Sequence, residues 1–280
     1  MLTLQLTEDG SYTFYSPQFS QTFHSISGAK EEAQKKFVQP CLLAEKALGS
    51  SLQILDICYG LGYNSAAAME AIWQINPHCN LEIIALELED LVPKTAIAYQ
   101  LLDSWTAPIP SFLTQLAEQY YLETDYFKAK LLLGDARLTL PRNFKADAIF
   151  LDPFSPTKCP QLWTIEFLTQ VAQCLKPTGY LATYSCAASV RSALLEAGLK
   201  IGAAPSVGRR SPGTIASYSH HNLLPLSQQE IEHLATKAAI PYRDPYLQDT
   251  AEMIEQKRLE EQNNSHLEPS SHWKKRWRSN

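Results

Sequence analysis

Residues 52–64, LQILDICYGLGYN, decide the fold. The apolar run LQIL reads as a buried strand, and the residues that follow, SAAAMEAIWQI (65–75), read as a helix. Between them lies a turn with Gly60 and Gly62. Glycines there allow backbone to approach a ligand closely. The spacing does not match the dinucleotide fingerprint, because position 65 is serine where the third glycine belongs. It also lacks the Gly-Lys-Ser/Thr of a phosphate loop. The turn therefore suits a ligand without a pyrophosphate.

Working outward, strand and helix signals alternate. LEIIALE (81–87), KLLLGD (130–135), DAIFLDPF (147–154) and GYLATYS (179–185) read as strands, with KIGAA and TIASYS as two more. DLVPKTAIAYQLL, SFLTQLAEQYYL, LWTIEFLTQVAQCL and ASVRSALLEAG read as helices. This alternation predicts an α/β, Rossmann-like, doubly wound and mostly parallel sheet of about seven strands. LTLQL and YTFY around the Asp-Gly turn predict an N-terminal hairpin, and 16–30 reads as loop. EEAQKKFVQPCLLAEKAL has a helical pattern interrupted near Pro40. Beyond residue 222, QQEIEHLATKAAI and LQDTAEMIEQKRLEEQ predict a helical extension; NNSHLEPSSH reads as a flexible connector and WKKRWRSN as a basic tail. The expected division is 1–50 for hairpin and lead-in segment, 51–221 for the core and 222–280 for the extension.

Composition narrows the class. Of 280 residues, 45% are hydrophobic and 19% charged, which fits neither a disordered chain nor a membrane protein. The start, MLTLQLTEDG, lacks a basic stretch followed by a long apolar run, so no secretory signal is expected. Six cysteines without close pairs point to reduced thiols in the cytoplasm, and no metal-ligand cluster is legible. A formal charge of -5 argues against broad coating of nucleic acid but leaves room for a local basic face.

Ligands in such sheets bind beyond the carboxyl ends of the strands. Four features gather there. The first is the turn, with Asp56, Gly60, Gly62 and Asn64. The second is Glu87, which ends a strand where an acid can accept hydrogen bonds from both ribose hydroxyls of an adenosine. The third is Asp135 in GDA, placed to accept an adenine amino group. The fourth is LDPFSP (151–156), where Asp152 ends a strand, two prolines stiffen the loop and Phe154 offers an apolar wall. Asp-Pro-Phe resembles the Asp-Pro-Pro-aromatic pattern of amino-group methyltransferases. Together the four features resemble a class I methyltransferase that binds S-adenosylmethionine.

The resemblance is closer still to the methyltransferase domain of the bifunctional tRNA enzyme MnmC, over about residues 14–219. CYGLGYN stands for that family's GFGTGLN, and LDPFSP with Pro160 and Trp163 for its LDGFAP region. Glu87, Gly134–Asp135, LATYSCAASVRSALLEAGL, VGRRSPG and FHSISGAKEEAQKKFV also match in order. Cys58 replaces the first glycine, and Pro153 replaces the glycine after the aspartate. The resemblance implies methyl transfer to the aminomethyl nitrogen of wobble 5-aminomethyl(-2-thio)uridine, with the tRNA anticodon stem-loop as partner and a link to the enzymes that install the aminomethyl group. A third departure from the family is that the chain shows no room or fingerprint for its FAD oxidase domain, so a stand-alone methyltransferase is expected. Asp152 is expected to orient the amine and Phe154 to wall its pocket. Substrate contacts are expected from His24, Pro153, Trp163, Arg191, Arg209 and Arg210, and from Lys274, Lys275, Arg276 and Arg278 among Trp273 and Trp277. Two other readings stay open: an N-methyltransferase of another RNA nucleoside, small amine or protein side chain, and an inactive RNA-binding scaffold.

Overall fold

The computed structural model describes residues 2–205 and 212–278. The chain opens with β1 (Thr3–Leu6), β2 (Tyr12–Ser16) and β3 (Gln21–Thr22), an antiparallel sheet of its own. β1 and β2 pair Thr3 with Tyr15 and Leu6 with Tyr12, around a turn in which Gly10 takes a φ of 81°. The short β3 lies in the stretch expected to be loop. Next come α1 (Ala29–Glu32), a π-helical turn (Ala33–Val38) and α2 (Leu43–Lys46). The break falls at Leu42, in the left-handed region at φ 55°.

The core follows with β4 (Ser51–Ile57), α3 (Tyr63–Ile75), β5 (Asn80–Glu87), α4 (Leu91–Ala98), α5 (Ile109–Gln119), β6 (Tyr121–Glu123), β7 (Phe127–Leu133), α6 (Ala136–Thr139), β8 (Ala146–Leu151), α7 (Ile165–Gln173), β9 (Leu175–Thr183), α8 (Ala188–Glu196), β10 (Lys200–Ala203) and β11 (Thr214–Ser217). Their order across the sheet is β10-β11-β9-β8-β4-β5-β7-β6. The five strands from β9 to β7 are parallel, and β11 and β6 flank them antiparallel.

The sheet has eight strands rather than about seven. The extra one, β6, sits where the helical pattern of SFLTQLAEQYYL was expected to continue. Tyr120 ends α5 in the left-handed region at φ 62°, and the next three residues pair with Lys128–Lys130. The aromatic side chains of YYL are compatible with either state, so the local turn decides.

Apolar side chains fill both faces of the sheet. Ile54, Ile83, Ala85 and Phe150 pack on one side with α3 and the N-terminal helices; Leu55, Ile57, Ile149 and Leu181 pack on the other with α7 and α8. Burying each large aliphatic chain stabilises the fold by about 1.5–3 kcal/mol. The chain runs outward from β4 through β5 to β7, then returns to β8 beside β4. The carboxyl ends of β4 and β8 are thus neighbours at the switch point, where such sheets hold ligands.

The extension carries α9 (Gln228–His233), α10 (Ala251–Asn264) and α11 (Ser270–Arg278). NNSHLEPSSH is not a free connector: its asparagines end α10, Glu268 bridges to Thr236, and its last serines begin α11. No helix among the described residues is long and apolar enough to cross a membrane.

Candidate active site

The turn after β4 is built from three left-handed residues: Cys58 at φ 67°, Gly60 at φ 55° and Gly62 at φ 84°. Cys58 occupies a conformation that L side chains adopt at a cost. The cysteine that replaces the expected glycine therefore keeps a glycine-like backbone. Asp56 is fully buried behind the turn and accepts a hydrogen bond from the Ser65 hydroxyl at 2.7 Å. Burial, opposed by that bond and helped by the charge of Glu87, pushes its carboxyl up to about 7. A Cβ at Gly62 would meet the Tyr59 hydroxyl at 2.6 Å, so glycine there is needed for packing. Asp56 and Gly62 thus shape the turn and lie outside the cavity wall; Gly60 lines the cavity.

That cavity has a volume of about 400 Å³, within the usual range for small-ligand sites. It runs along the carboxyl ends of β4, β5, β7 and β8 under the N-terminal segment. At one end Glu87 accepts the N–H of Gly60 and of Leu88, each at 2.8 Å. Burial nevertheless raises its carboxyl above the ordinary value. Asp135 caps α6 by accepting the Arg137 N–H at 2.9 Å and also pairs with the Arg137 guanidinium at 2.7 Å. Burial alone would raise Asp135, but the arginine outweighs it and holds the carboxyl low.

Asp152 sits at the other end. Its Oδ2 accepts a hydrogen bond from Asn64 at 2.8 Å. Burial, then the charge of Glu32, push its carboxyl well above the usual range despite that bond. Asn64 itself is buried off the wall and acts through Asp152. Phe154 stacks on Phe19 with centroids 4.2 Å apart and meets Phe23 edge-on at 5.1 Å. The loop is pinned from three sides. The Tyr184 hydroxyl donates to the Pro153 carbonyl at 2.8 Å, the Trp163 indole to the Phe154 carbonyl at 2.9 Å, and Gln21 to the Ser155 hydroxyl at 2.8 Å.

Several expected substrate contacts have other duties. Trp163 is fully buried and braces the loop from behind. Arg191 is fully buried too, bonded to Thr214 at 3.0 Å and paired with Glu230 at 2.7 Å, which removes it from any surface contact. His24 does line the cavity; burial lowers it to about 4, so it is neutral at pH 7. Pro153 lines the cavity beside Asp152. Arg209 and Arg210 lie outside the described residues. In the tail, Trp273 stacks on His233 at 4.0 Å, Trp277 donates to Glu232 at 3.0 Å, and Arg276 pairs with Glu232 and Glu268. Those aromatic rings dock the tail on α9 rather than standing free.

The sequence reading passed over Glu32. It lines the cavity and forms a buried pair with Lys36 at 2.8 Å, while accepting the Ser25 N–H at 2.7 Å. Its signal was the i,i+4 Glu-Lys spacing within EEAQKK, unusual only because both side chains are inward. Phe19, Phe23 and Gln161 were also missed. Gln161 Oε1, on the cavity wall, is buried without a hydrogen-bond partner.

Five carboxylates line the cavity, from Glu32, Glu87, Glu89, Asp135 and Asp152, and no lysine or arginine among the described residues does. Such a wall disfavours phosphates and suits cations. It fits S-adenosylmethionine: acids at the ends of β5 and β8 and beyond β7, an orphaned amide on the wall, and an acidic wall around a sulfonium. Among the described residues no cluster of three or more His, Cys, Asp or Glu is arranged to hold a metal.

Comparison with known proteins agrees. A family profile described as S-adenosyl-L-methionine-dependent methyltransferase matches residues 94–219. The crystal structure of MnmC2 from Aquifex aeolicus superposes with a TM-score of 0.84 at 34% identity, covering 95% of this chain and 86% of that one. An uncharacterized protein of Methanocaldococcus jannaschii, MJ0670, is 32% identical over 91% of this chain and 70% of its own length. The tRNA 5-methylaminomethyl-2-thiouridine biosynthesis bifunctional protein MnmC of Ralstonia nicotianae is 30% identical over 79% of this chain. This chain spans 35% of that bifunctional protein.

Proposed function

The chain belongs to the MnmC-like family of S-adenosylmethionine-dependent methyltransferases, and from that premise we propose that it methylates the aminomethyl nitrogen of wobble 5-aminomethyl(-2-thio)uridine in tRNA. The observation that carries this reading is the acidic cavity ending in Asp152. An aminomethyl group is a cation in water, and adding one methyl to it gives the methylaminomethyl group in the names of the bifunctional relatives.

S-adenosylmethionine, when bound, supplies an electrophilic methyl on a sulfonium sulfur. The protein's part is to hold, orient and deprotonate. Glu87 would accept hydrogen bonds from the ribose hydroxyls and Asp135 one from the adenine amino group, with the Gly60 backbone lining the same wall. Asp152, steadied through Oδ2 by Asn64, presents Oδ1 to the substrate ammonium. Burial raises its proton affinity above that of an ordinary carboxylate, which suits it to take the proton and free the nitrogen lone pair. Phe154, with Phe19 and Phe23, walls the uracil and excludes water, so that amine and methyl meet in line. The carbonyls of Pro153 and Phe154 already accept hydrogen bonds from Tyr184 and Trp163. Recognition of the amine therefore falls chiefly on the Asp152 carboxylate. The wobble base must leave its stack to reach it, and Lys274 and Lys275 on α11 are the tail's candidates for the anticodon stem-loop backbone.

The test is methyl transfer from labelled S-adenosylmethionine to tRNA carrying 5-aminomethyluridine, with unmodified and fully modified tRNA beside it. Label confined to the wobble nucleoside and lost in Asp152→Ala supports the reaction. Cofactor binding without transfer to any of these RNAs would sink the substrate reading.

A further inference from the structure

The adenine end of the cavity rests on a single helical turn, α6, whose Leu138 is 78% exposed. One turn cannot fix a side chain by itself, since so short a helix gains little from its own hydrogen bonds. The capping bond from the Arg137 N–H holds Oδ1 at 2.9 Å, and Oδ2 needs a second hold.

The Arg137 side chain supplies it: its Nε and Nη2 converge on Asp135 Oδ2 at 3.0 and 2.7 Å, and with the backbone bond to Oδ1 both oxygens are held. Its Nη1 turns the other way, to Asp244 Oδ2 at 2.9 Å and the Asp249 carbonyl at 2.9 Å. Asp244 belongs to the extension and is fully buried. Its Oδ1 accepts the N–H groups of Gln248 at 3.0 Å and Asp249 at 3.3 Å, and its own N–H donates to Glu166 at the start of α7 at 2.8 Å. Asp244 is thus immobile, Arg137 is fixed by it, and Asp135 is fixed by Arg137. About a third of the Asp135 side chain remains accessible, and the residue lines the cavity.

We infer that Arg137, anchored by Asp244 of the C-terminal extension, is a positioning residue that aims the Asp135 carboxylate at the adenine amino group of the cofactor. The inference rests on the reading of Asp135 as the adenine-facing acid. It makes a segment outside the sheet a working part of the cofactor site. A clamped carboxylate accepts hydrogen bonds but cannot donate one, so it rewards an amino group at the purine 6-position and repels a carbonyl there. A loose carboxylate turns aside and loses that selectivity.

The experiment measures dissociation constants of S-adenosylhomocysteine and S-inosylhomocysteine by calorimetry for the full chain and for Asp244→Asn, Arg137→Gln and Asp135→Ala, with melting curves on each. Asp244→Asn keeps the acceptor for Gln248 and Asp249 but removes the charge that anchors Arg137. Arg137→Gln, at a partly exposed site, carries the test if Asp244→Asn does not fold. The unaltered chain is expected to prefer the adenosyl ligand by about tenfold or more. In both clamp variants the preference falls to about threefold or less, through lost adenosyl affinity alone. Parallel weakening of both ligands, or an unchanged preference, would overturn the clamp, because a merely structural contact moves both alike. A preference that survives Asp135→Ala would overturn the adenine reading, and the clamp with it. A preference lost in Asp135→Ala but intact in both clamp variants would overturn the clamp alone.

Discussion

Two acids of the cavity, Glu87 and Asp152, and two acids of the C-terminal extension, Glu230 and Glu268, are held in opposite ways. In the cavity, Glu87 and Asp152 meet backbone N–H groups or a neutral amide, and burial raises both. In the extension, Glu230 and Glu268 each meet an arginine. Glu230, which burial alone would raise, is held low by Ser227 and Arg191; Glu268 is held low by Arg276. Unpaired, half-sheltered acids are ready for a positively charged ligand. The paired acids of the extension are spent on holding the fold together. The difference lies in the partner, not in the residue type.

The strongest way to break this contrast is to remove the charge at the cavity's far end. Asp152→Asn should lower methyl transfer by about 10²–10⁴-fold, the usual worth of a positioned acid or base. Calorimetry should find cofactor affinity nearly unchanged; a parallel collapse of both would make Asp152 a cofactor ligand only. On the paired side, Arg191→Met strips Glu230 of its partner inside the protein. Glu230 is partly exposed and keeps Ser227, so the loss is that of a charged hydrogen bond, about 1.5–3 kcal/mol; urea unfolding should show it, and no measurable loss would refute the structural assignment.

Smaller effects sharpen the comparison. Glu87→Gln should weaken S-adenosylhomocysteine roughly tenfold, as befits a charge-assisted hydrogen bond, while leaving the KM for tRNA in place. Asp56 tests the cost of a buried unpaired acid. Its folded-state value near 7 exceeds the ordinary 3.8. The native state therefore holds this proton more tightly, and the associated stability is full below about pH 4 and lost as pH rises through about 7. Asp56→Asn should melt higher than the parent at pH 8, with the gap closing toward pH 4; a gap that widens in acid would reverse the sign. Least of all, Arg276→Ala at the exposed end of the extension should leave the melting temperature nearly unchanged.

The acids at the strand ends were legible because a parallel strand announces itself as an apolar run, and the residue that ends the run must face the crevice. Glu87, Asp135 and Asp152 follow from that rule. Duties set by packing were not legible. Arg191 looks like an RNA contact in sequence, yet Glu230 sits some forty positions away and only the fold joins them. Trp163 belongs to a matching motif, but its indole faces the back of the loop. The i,i+4 spacing of Glu32 and Lys36 does not distinguish a solvated pair from a buried one, and the π-helical turn packed against α3 is what takes them inside. Arg137 follows Asp135 by two positions, and nothing local reveals that Asp244, 107 residues later, completes it.

One consequence of the roof over the cavity concerns design. Phe19, Phe23, His24 and Glu32 all come from the first fifty residues, whose hairpin sheet is separate from the large one. Glu87, Gly134 and Asp135 come from the core sheet. Part of the wall proposed to meet the acceptor is therefore encoded ahead of the core, while Asp152 and Phe154 stay with the core that holds the cofactor side. A chimera that exchanges the first block, keeping Gln21 opposite Ser155, is the smallest transplant by which acceptor choice could be rewritten while the methyl donor stays the same.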